Sequence, residues 1–559
     1  MSSRDLLRLE HLRDRFGSDA AEEKAELVAR LSRARLTTAR EVERLHEALV
    51  FLRAYPDDER VRGLVVRTLE AFDRRPDLRR HRAALADTGI AGTDVRFRFY
   101  QPTAARLARR HPDALEVDWE EFDGEERLAT LLPLLVTWAE AQDLDDERSL
   151  RDRIAALRGP NEGDGAFLAR RIAALPAARD VVRAVHDDLD VPLCLRAGPG
   201  TPSRTRAEFL GAPVEFQHGE LRRARPELAV ALLEPPHAVR ELAPRDARAA
   251  VELAQDAMVV RARDLDAFMY ADARDARLVD CGGGLAFLVL GVVPEQRLLL
   301  ESVYALLTLK NGVPIGYVLA SSLWNSCEVA YNVFETYRGG EAAWIYGRVL
   351  ATLRALFGVD TVQVVPYQLG HENEEGLLSG AWWFYRKLGF APVVPAARAL
   401  ARAEERRIAR DPGHRSSRAV LERLVAHDVF WSAGALRRDV LGRFPAHVLG
   451  RKASALLARR FGAERERGVA ALAGENAHAL GVRSFAGWSA GERLAWERWA
   501  PLVALLDGVE RWNARDRAAL VGVVRAKGGR REAEFVRAFD AHRRLRRELC
   551  RIVGVPSSV

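Results

Sequence analysis

At 559 residues, with 48% hydrophobic and 30% charged residues, the chain has length for several cores and too much apolar character for a disordered protein. Its four cysteines, Cys194, Cys281, Cys327 and Cys550, stand far apart with no CxxC pair, which argues against a disulfide framework or a zinc cluster and for a reducing cytoplasm. The N-terminus MSSRDLLRLEHLRDRF lacks the apolar core of a signal peptide, and the longest apolar run, Leu285–Val293, is roughly half the ~20 residues of a membrane helix, so no membrane association is expected.

Residues 1–90 read as a helical region: Leu45, Leu49, Leu52 and then Val61, Val65, Leu69, Phe72 recur at helical spacing, with Pro56 and Pro76 as breaks. Residues 91–236 read as a mixed, mostly helical region that opens on a strand-like DVRFRFY, runs through the helical EERLATLLPLLVTWAEAQ and passes a loop, RAGPGTPSRTR.

The pattern changes near residue 237. A short β-like run, Ala238–Leu242, leads through Pro244 and Asp246 into an amphipathic helix. Two β-type runs in SVYALLTLKNGVPIGYVLASSLW are joined by Asn311-Gly312, a hairpin signal because both residues tolerate positive φ. A strand at CEVAYNVFETY, the glycine pair after Arg338, a helix through EAAWIYGRVLATLRALFG, a strand at TVQVVPYQL, a helix at GAWWFYRKL and a closing strand at GFAPVV follow. The order β-α-β-β-β-α-β-α-β over residues 237–400 predicts an α/β domain with a mixed sheet. The domain is flanked by largely helical N- and C-terminal regions.

Residues 401–559 read as a basic helical region. They carry 32 Lys+Arg against 18 Asp+Glu, an excess of +14, while the whole chain stands at +7. Such an excess suits an acidic partner or nucleic acid. The cations are interleaved with acids in stretches such as RREAEFVRAFDAHRRLRREL, however, which is the pattern of a solvated helix face. Of the aromatic residues able to stack on bases, Trp488, Trp496, Trp499 and Trp512, the second and third share helical spacing with Val503 and mark a core.

Two stretches of the middle region hold residues suited to chemistry. In YNVFETYRGGEAAWIYG a strand runs through a glycine pair into a helix, whose first N–H groups and positive dipole end suit a phosphate; a plain turn that needs glycine is the alternative. In SGAWWFYRKLGF, Tyr385 either joins the core or presents its hydroxyl to a cleft as a proton donor, and Gly389 ends the helix.

Together these stretches resemble the GNAT superfamily of acyl-CoA-dependent N-acyltransferases over roughly residues 237–400. GAWWFYRKLGF is similar to that family's Ala-x-x-Phe-Tyr-x-Lys-x-Gly-Phe helix, and the Arg338 loop to its Arg/Gln-x-x-Gly-x-Gly/Ala loop. The resemblance implies acyl transfer, in the first instance acetyl from acetyl-CoA, to a small-molecule or protein amine. It implies pantetheine held by the backbone of Asn332, Val333 and Phe334, and pyrophosphate held by Arg338, Gly339, Gly340, Glu341, Ala342 and Ala343. Tyr385 is implied as the acid that protonates the departing thiolate.

Two features depart from the family pattern. Glu341 replaces a glycine, so either its side chain points away from the pyrophosphate or CoA binding is weakened. The loop LGHENEEGLLSG is longer than usual, and its His371, Glu372, Glu374 and Glu375 would suit a cationic acceptor or simply face solvent. Glu335, at the strand's end, is the preferred base, with Glu328 and His371 as rivals; Cys327, inside a strand, reads as buried and inert. Two other functions compete with the enzyme reading. One is a GNAT-fold module that has lost CoA and serves as a scaffold; the other is a relative that takes its acyl group from aminoacyl-tRNA, which the basic region would suit.

Overall fold

Leu45, Leu49 and Leu52 lie buried on the helix Ala39–Ala54, and Val61, Val65 and Leu69 on Glu59–Glu70, because each set recurs on one helical face. Thr38 and Glu41 form a capping box that starts the first of these helices. The computed structural model describes residues 2–144 and 148–559, and its chain divides into two units.

The first unit comprises residues 1–220, 248–270 and 310–314. It has one helical core and a second core around a three-stranded antiparallel sheet, β1 (Val95–Phe97), β2 (Leu115–Val117) and β3 (Leu193–Leu195), in the order β1-β3-β2. The strand expected in DVRFRFY is β1. Asn311 and Gly312 have the positive φ angles, 51° and 80°, that a tight hairpin turn requires. The Asn311 side chain is no solvent-facing turn residue: its amide donates to the carbonyls of Ala54 and Glu215 and accepts from the Glu215 N–H.

The second unit comprises residues 221–247, 271–309 and 315–559. Its sheet has nine strands: β4 (Ala238–Glu241), β5 (Ala271–Asp280), β6 (Leu285–Val292), β7 (Ser302–Lys310), β8 (Val313–Leu323), β9 (Ser326–Val333), β10 (Thr361–Val364), β11 (Ala391–Pro392) and β12 (Val429–Ser432). The order is β11-β12-β10-β9-β8-β7-β6-β5-β4. β9 and β10 are parallel, and β4–β5, β5–β6, β8–β9, β10–β12 and β11–β12 are antiparallel. The sheet is therefore mixed, as expected from the order of elements.

In this sheet three strands were not expected, as β2 and β3 of the first unit were not. β6 is the apolar run Leu285–Val292, buried along its whole length. β5 carries Asp272, Asp275 and Arg277 into the interior, where Arg277 donates to Asp275. β12 arises from VFWS, inside a region expected to be helical throughout: the helix Arg418–Val425 ends before it, and β12 then lies between β10 and β11. The closing strand expected at GFAPVV is reduced to Ala391–Pro392 and pairs with β12 rather than β10. Residues 401–559 thus complete the sheet.

The helices Ala514–Gly528 and Glu532–Ala541 are fastened to the strands by buried charge. Asp275 on β5 accepts from the Tyr304 hydroxyl (2.5 Å) and from the Glu532 N–H (3.2 Å), and the Ala533 N–H donates to the Tyr304 oxygen (2.7 Å). A carboxylate at a helix N-terminus is favourable because the first N–H groups there have no intrahelical partner. Lys527 pairs with Glu532 at 2.5 Å.

Candidate active site at the open edge of β9

The helix Ala342–Phe357 is the crossover that joins the parallel strands β9 and β10, and next to its start the two strands part. Their ladder holds three pairs, Ser326–Thr361, Cys327–Val362 and Glu328–Gln363. β10 ends at Val364, and Pro366, which has no N–H for a ladder, begins the short helix Pro366–Leu369. β9 runs on to Val333 against β8.

The phase of that pairing decides which backbone groups face the opening. The Phe334 N–H donates to the Ile315 carbonyl at 2.9 Å. Bonded pairs alternate along an antiparallel ladder, so Asn332, Ala330 and Glu328 also turn their backbone groups toward β8, and Val329, Tyr331 and Val333 turn theirs toward the opening. This corrects the expectation that Asn332, Val333 and Phe334 all offer backbone bonds there: of the three, Val333 faces the opening, and its carbonyl accepts from Arg338 Nε at 3.2 Å.

The two faces of β9 differ. Tyr331 points to the crossover helix, where its hydroxyl donates to the Ala342 carbonyl (3.1 Å) and its ring lies 5.4 Å from that of Tyr346. Glu328, Ala330 and Asn332 occupy the opposite face and are half-buried, beside the half-buried Leu319 and Ser321 of β8. Burial, with the like charges of Glu301 and Asp428 added, pushes the Glu328 carboxyl up to about 7. The Ser321 hydroxyl donates to Glu301 (2.8 Å), and Gln363 Nε2 donates to Asp428 (3.1 Å). Glu335 is exposed on a single 3-10 turn, Glu335–Tyr337, beyond the end of the strand. The geometry therefore favours Glu328 over Glu335 as the base.

In the glycine loop, Gly339 has φ 79°, a left-handed conformation for which a side chain would be strained, and open space where a Cβ would lie. Arg338 pairs with Glu375 of the acidic loop. Glu341, 2% exposed, sits at the start of the 342–357 helix and accepts the Arg222 N–H at 3.1 Å. The Arg222 guanidinium lies 4.6 Å over the Trp344 ring. The carboxylate is thus turned into the protein and caps none of the first N–H groups of the helix. Ala342 and Ala343 begin the helix behind it.

Tyr385, on the helix Ala381–Lys387, is 3% exposed and packs edge-on against Tyr346, Phe384 and Phe390, with ring centroids 5.2 to 5.5 Å apart. Burial raises its hydroxyl above the ordinary phenol value, so the tyrosine carries its proton at neutral pH. Trp382 is buried too. The tyrosine therefore has the contacts of a core residue, rather than the open presentation beside the Arg338 loop that the sequence suggested.

His371, Glu372 and Glu374 line a cavity of about 290 Å³ together with Arg418 and Glu422. Arg418 holds Glu374 with two bonds of 2.7 Å and Glu422 with one of 2.9 Å. These acids are thus largely spent on ion pairs. Cys327 is fully buried, which pushes its thiol up to about 12, as fits an inert strand cysteine.

In comparisons with protein families, curated proteins and solved structures, nothing matches the chain. Among the described residues no helix is long and apolar enough to cross a membrane, and no group of acidic, histidine or cysteine residues is spaced to hold a metal ion. Glu301, Gln363 and Asp428 were not anticipated, because they stand far from Glu328 in sequence and belong to no motif. Trp488, Trp496, Trp499 and Trp512 are all buried, which removes them as stacking platforms for bases.

Proposed function

We propose that the chain is an acyl-CoA-dependent N-acyltransferase acting on an amine. The observation that carries this reading is Glu328: a half-buried carboxyl with its proton affinity raised to about 7, on the open face of the strand whose edge β10 leaves uncovered. A base is most effective when its proton affinity lies near the operating pH. The resemblance of the Arg338 loop and the Tyr385 helix to GNAT signatures supports the same reading, and supplies the thioester as the electrophile.

In this reaction the amine nitrogen bonds to the acyl carbon and the carbon–sulfur bond breaks, its electron pair leaving on sulfur. Glu328 takes the proton lost by nitrogen, directly or through water. The departing sulfur takes its proton from solvent, because Tyr385 is packed into the core against Tyr346, Phe384 and Phe390. Backbone groups of Val329, Tyr331 and Val333 face the opening where an extended chain would add to the edge of β9.

A second reading is favoured by Glu341. A carboxylate on the residue just before the 342–357 helix disfavours a second anion at the start of that helix, which suits a scaffold that keeps the sheet and has lost the nucleotide. Calorimetric titration with acetyl-CoA separates the two. Binding accompanied by acetyl transfer to an amine supports the enzyme, and no heat at millimolar acetyl-CoA leaves the scaffold.

A further inference from the structure

Residues 440–463 carry Arg443, Arg451, Lys452, Arg459 and Arg460 and not one Asp or Glu. The basic excess of residues 401–559, interleaved with acids elsewhere, is concentrated here. Most of the stretch forms the helix Ala446–Phe461, in whose 16 residues Leu449 alone is buried. Arg451, Ala455, Ala458 and Arg459, at i, i+4, i+7 and i+8, share one exposed face, and Lys452 stands one position from Arg451. About 12 Å of helix axis separates Arg451 from Arg459. The nearest acids are spent or set apart. Asp439 is buried against Arg546, Glu475 holds Arg460 with two bonds of 2.9 and 2.6 Å, and Glu464 and Glu466 alternate with Arg465 and Arg467 past the turn at Gly462. Among the described residues Arg451, Lys452 and Arg459 have no ion pair or hydrogen-bond partner for their side chains. The helix Arg543–Val553 packs against this one and exposes Arg543 and Arg547, while its own acid, Glu548, is taken by Arg551 at 2.9 Å.

Unmatched cations on one face repel each other and call for an anionic partner, and the side chains around them select which. A membrane surface needs apolar groups that sink below the headgroups. Among the described residues between 395 and 558, no large hydrophobic side chain is exposed. Single-stranded nucleic acid needs aromatic platforms, and Trp488, Trp496, Trp499 and Trp512 are buried. The major groove of an RNA duplex is too narrow for side chains to enter, whereas that of B-form DNA, about 12 Å wide, admits a helix. Ser454, Ala455 and Ala458 keep the exposed face slim beside the cations, so the helix backbone can come close to a groove. From these observations we infer that the helix Ala446–Phe461 docks on double-stranded DNA, with Arg451, Lys452 and Arg459 on its phosphates. Alanine and serine offer little to the base edges, so the binding is independent of sequence. Nothing in it depends on acyl transfer.

The test is fluorescence anisotropy of the full chain with a labelled DNA duplex over a salt series, beside the RNA duplex of the same sequence, the DNA single strand and poly-L-glutamate as competitors. Duplex DNA should bind most tightly, with log K falling linearly as log salt rises. The triple variant Arg451→Ala, Lys452→Ala, Arg459→Ala should bind at least about tenfold more weakly, with a salt slope shallower by about 3, since each phosphate contact contributes about 0.9. A control that loses equal charge from exposed arginines of the first unit, Arg74→Ala, Arg79→Ala, Arg80→Ala, should match the parent in both. The unaltered protein offers a measurement free of variants. Of its five lysines, Lys24, Lys310 and Lys527 are buried and Lys387 and Lys452 exposed, so bound duplex should shield Lys452 from an amine-acylating label and leave Lys387 reactive. Absence of duplex binding, an equal loss in the control, tighter binding of any competitor, or Lys452 labelled as fast with DNA as without it would overturn the inference.

Discussion

Glu328 is a carboxyl whose surroundings all push in one direction. Burial and the charges of Glu301 and Asp428 lift it from the usual 4.5 to about 7. Between those values the folded chain holds a proton that the unfolded chain has shed, so the stability contributed by protonated Glu328 is full below about 4.5 and is lost as pH rises through about 7. Glu328→Gln should therefore raise the urea midpoint at pH 8 and leave it unchanged at pH 4. Its transfer rate should be about 10²-fold or more below that of the parent and should lack the parent's rise with pH through 7. An equal urea midpoint for the two proteins at pH 8 would show that the carboxyl is solvated. Tyr385→Phe keeps the ring contacts with Tyr346 and Phe390 of a residue that lies in the core, so turnover and acetyl-CoA affinity should both stay near those of the parent; a fall in turnover of about 10²-fold would instead make Tyr385 a proton donor. The aromatic helix and the glycine loop were legible because their residues are contiguous. Glu335 was preferred over Glu328 because strand phase and the company of Glu301 and Asp428 depend on pairing register, which no local pattern carries.

At the scale of elements, the strands that escaped the sequence reading did so for different physical reasons. β6 is apolar on both faces and shows no alternation, so it cannot be told from a buried helical segment. β5 reads as polar, and its charges are matched within the strand and from other elements: Asp275 meets Arg277 of the same strand, Tyr304 of β7 and the start of the 532–541 helix. Next to that junction, Lys527 and Glu532 are both buried, and Arg297 stands 3.7 Å from Glu532. Breaking such a pair leaves a buried charge without its partner, so Lys527→Met should cost about 3–5 kcal/mol. Adding Glu532→Gln should recover much of that loss, because the stranded charge goes with it. Chemical denaturation of the single and double variants checks this, and a double variant no more stable than Lys527→Met would show that Glu532 depends on Arg297 instead.

At the scale of the whole molecule, the sequence suggested a separable α/β domain at residues 237–400 with a basic helical region attached. In the structure residues 401–559 supply β12, the strand on which β10 and β11 pair. Arg297 donates to the carbonyls of Lys527 and Gly529 at 2.8 and 2.6 Å. Arg546, buried beside Trp324, bonds Asp439 at 2.9 Å. A chain ended after residue 400 would lose these partners together: β10 would present a bare edge, β11 would have no ladder, and Arg297 would face water in place of the carbonyls of Lys527, Gly529 and Arg530. Exposed strand edges and apolar surface promote aggregation. We therefore expect the truncated chain to be insoluble, or to lose the cooperative thermal transition of the full chain by circular dichroism. A soluble, cooperatively melting product that still binds acetyl-CoA would mean that residues 237–400 fold with the independence their sequence implied, and that β12 is an addition to a sheet already complete.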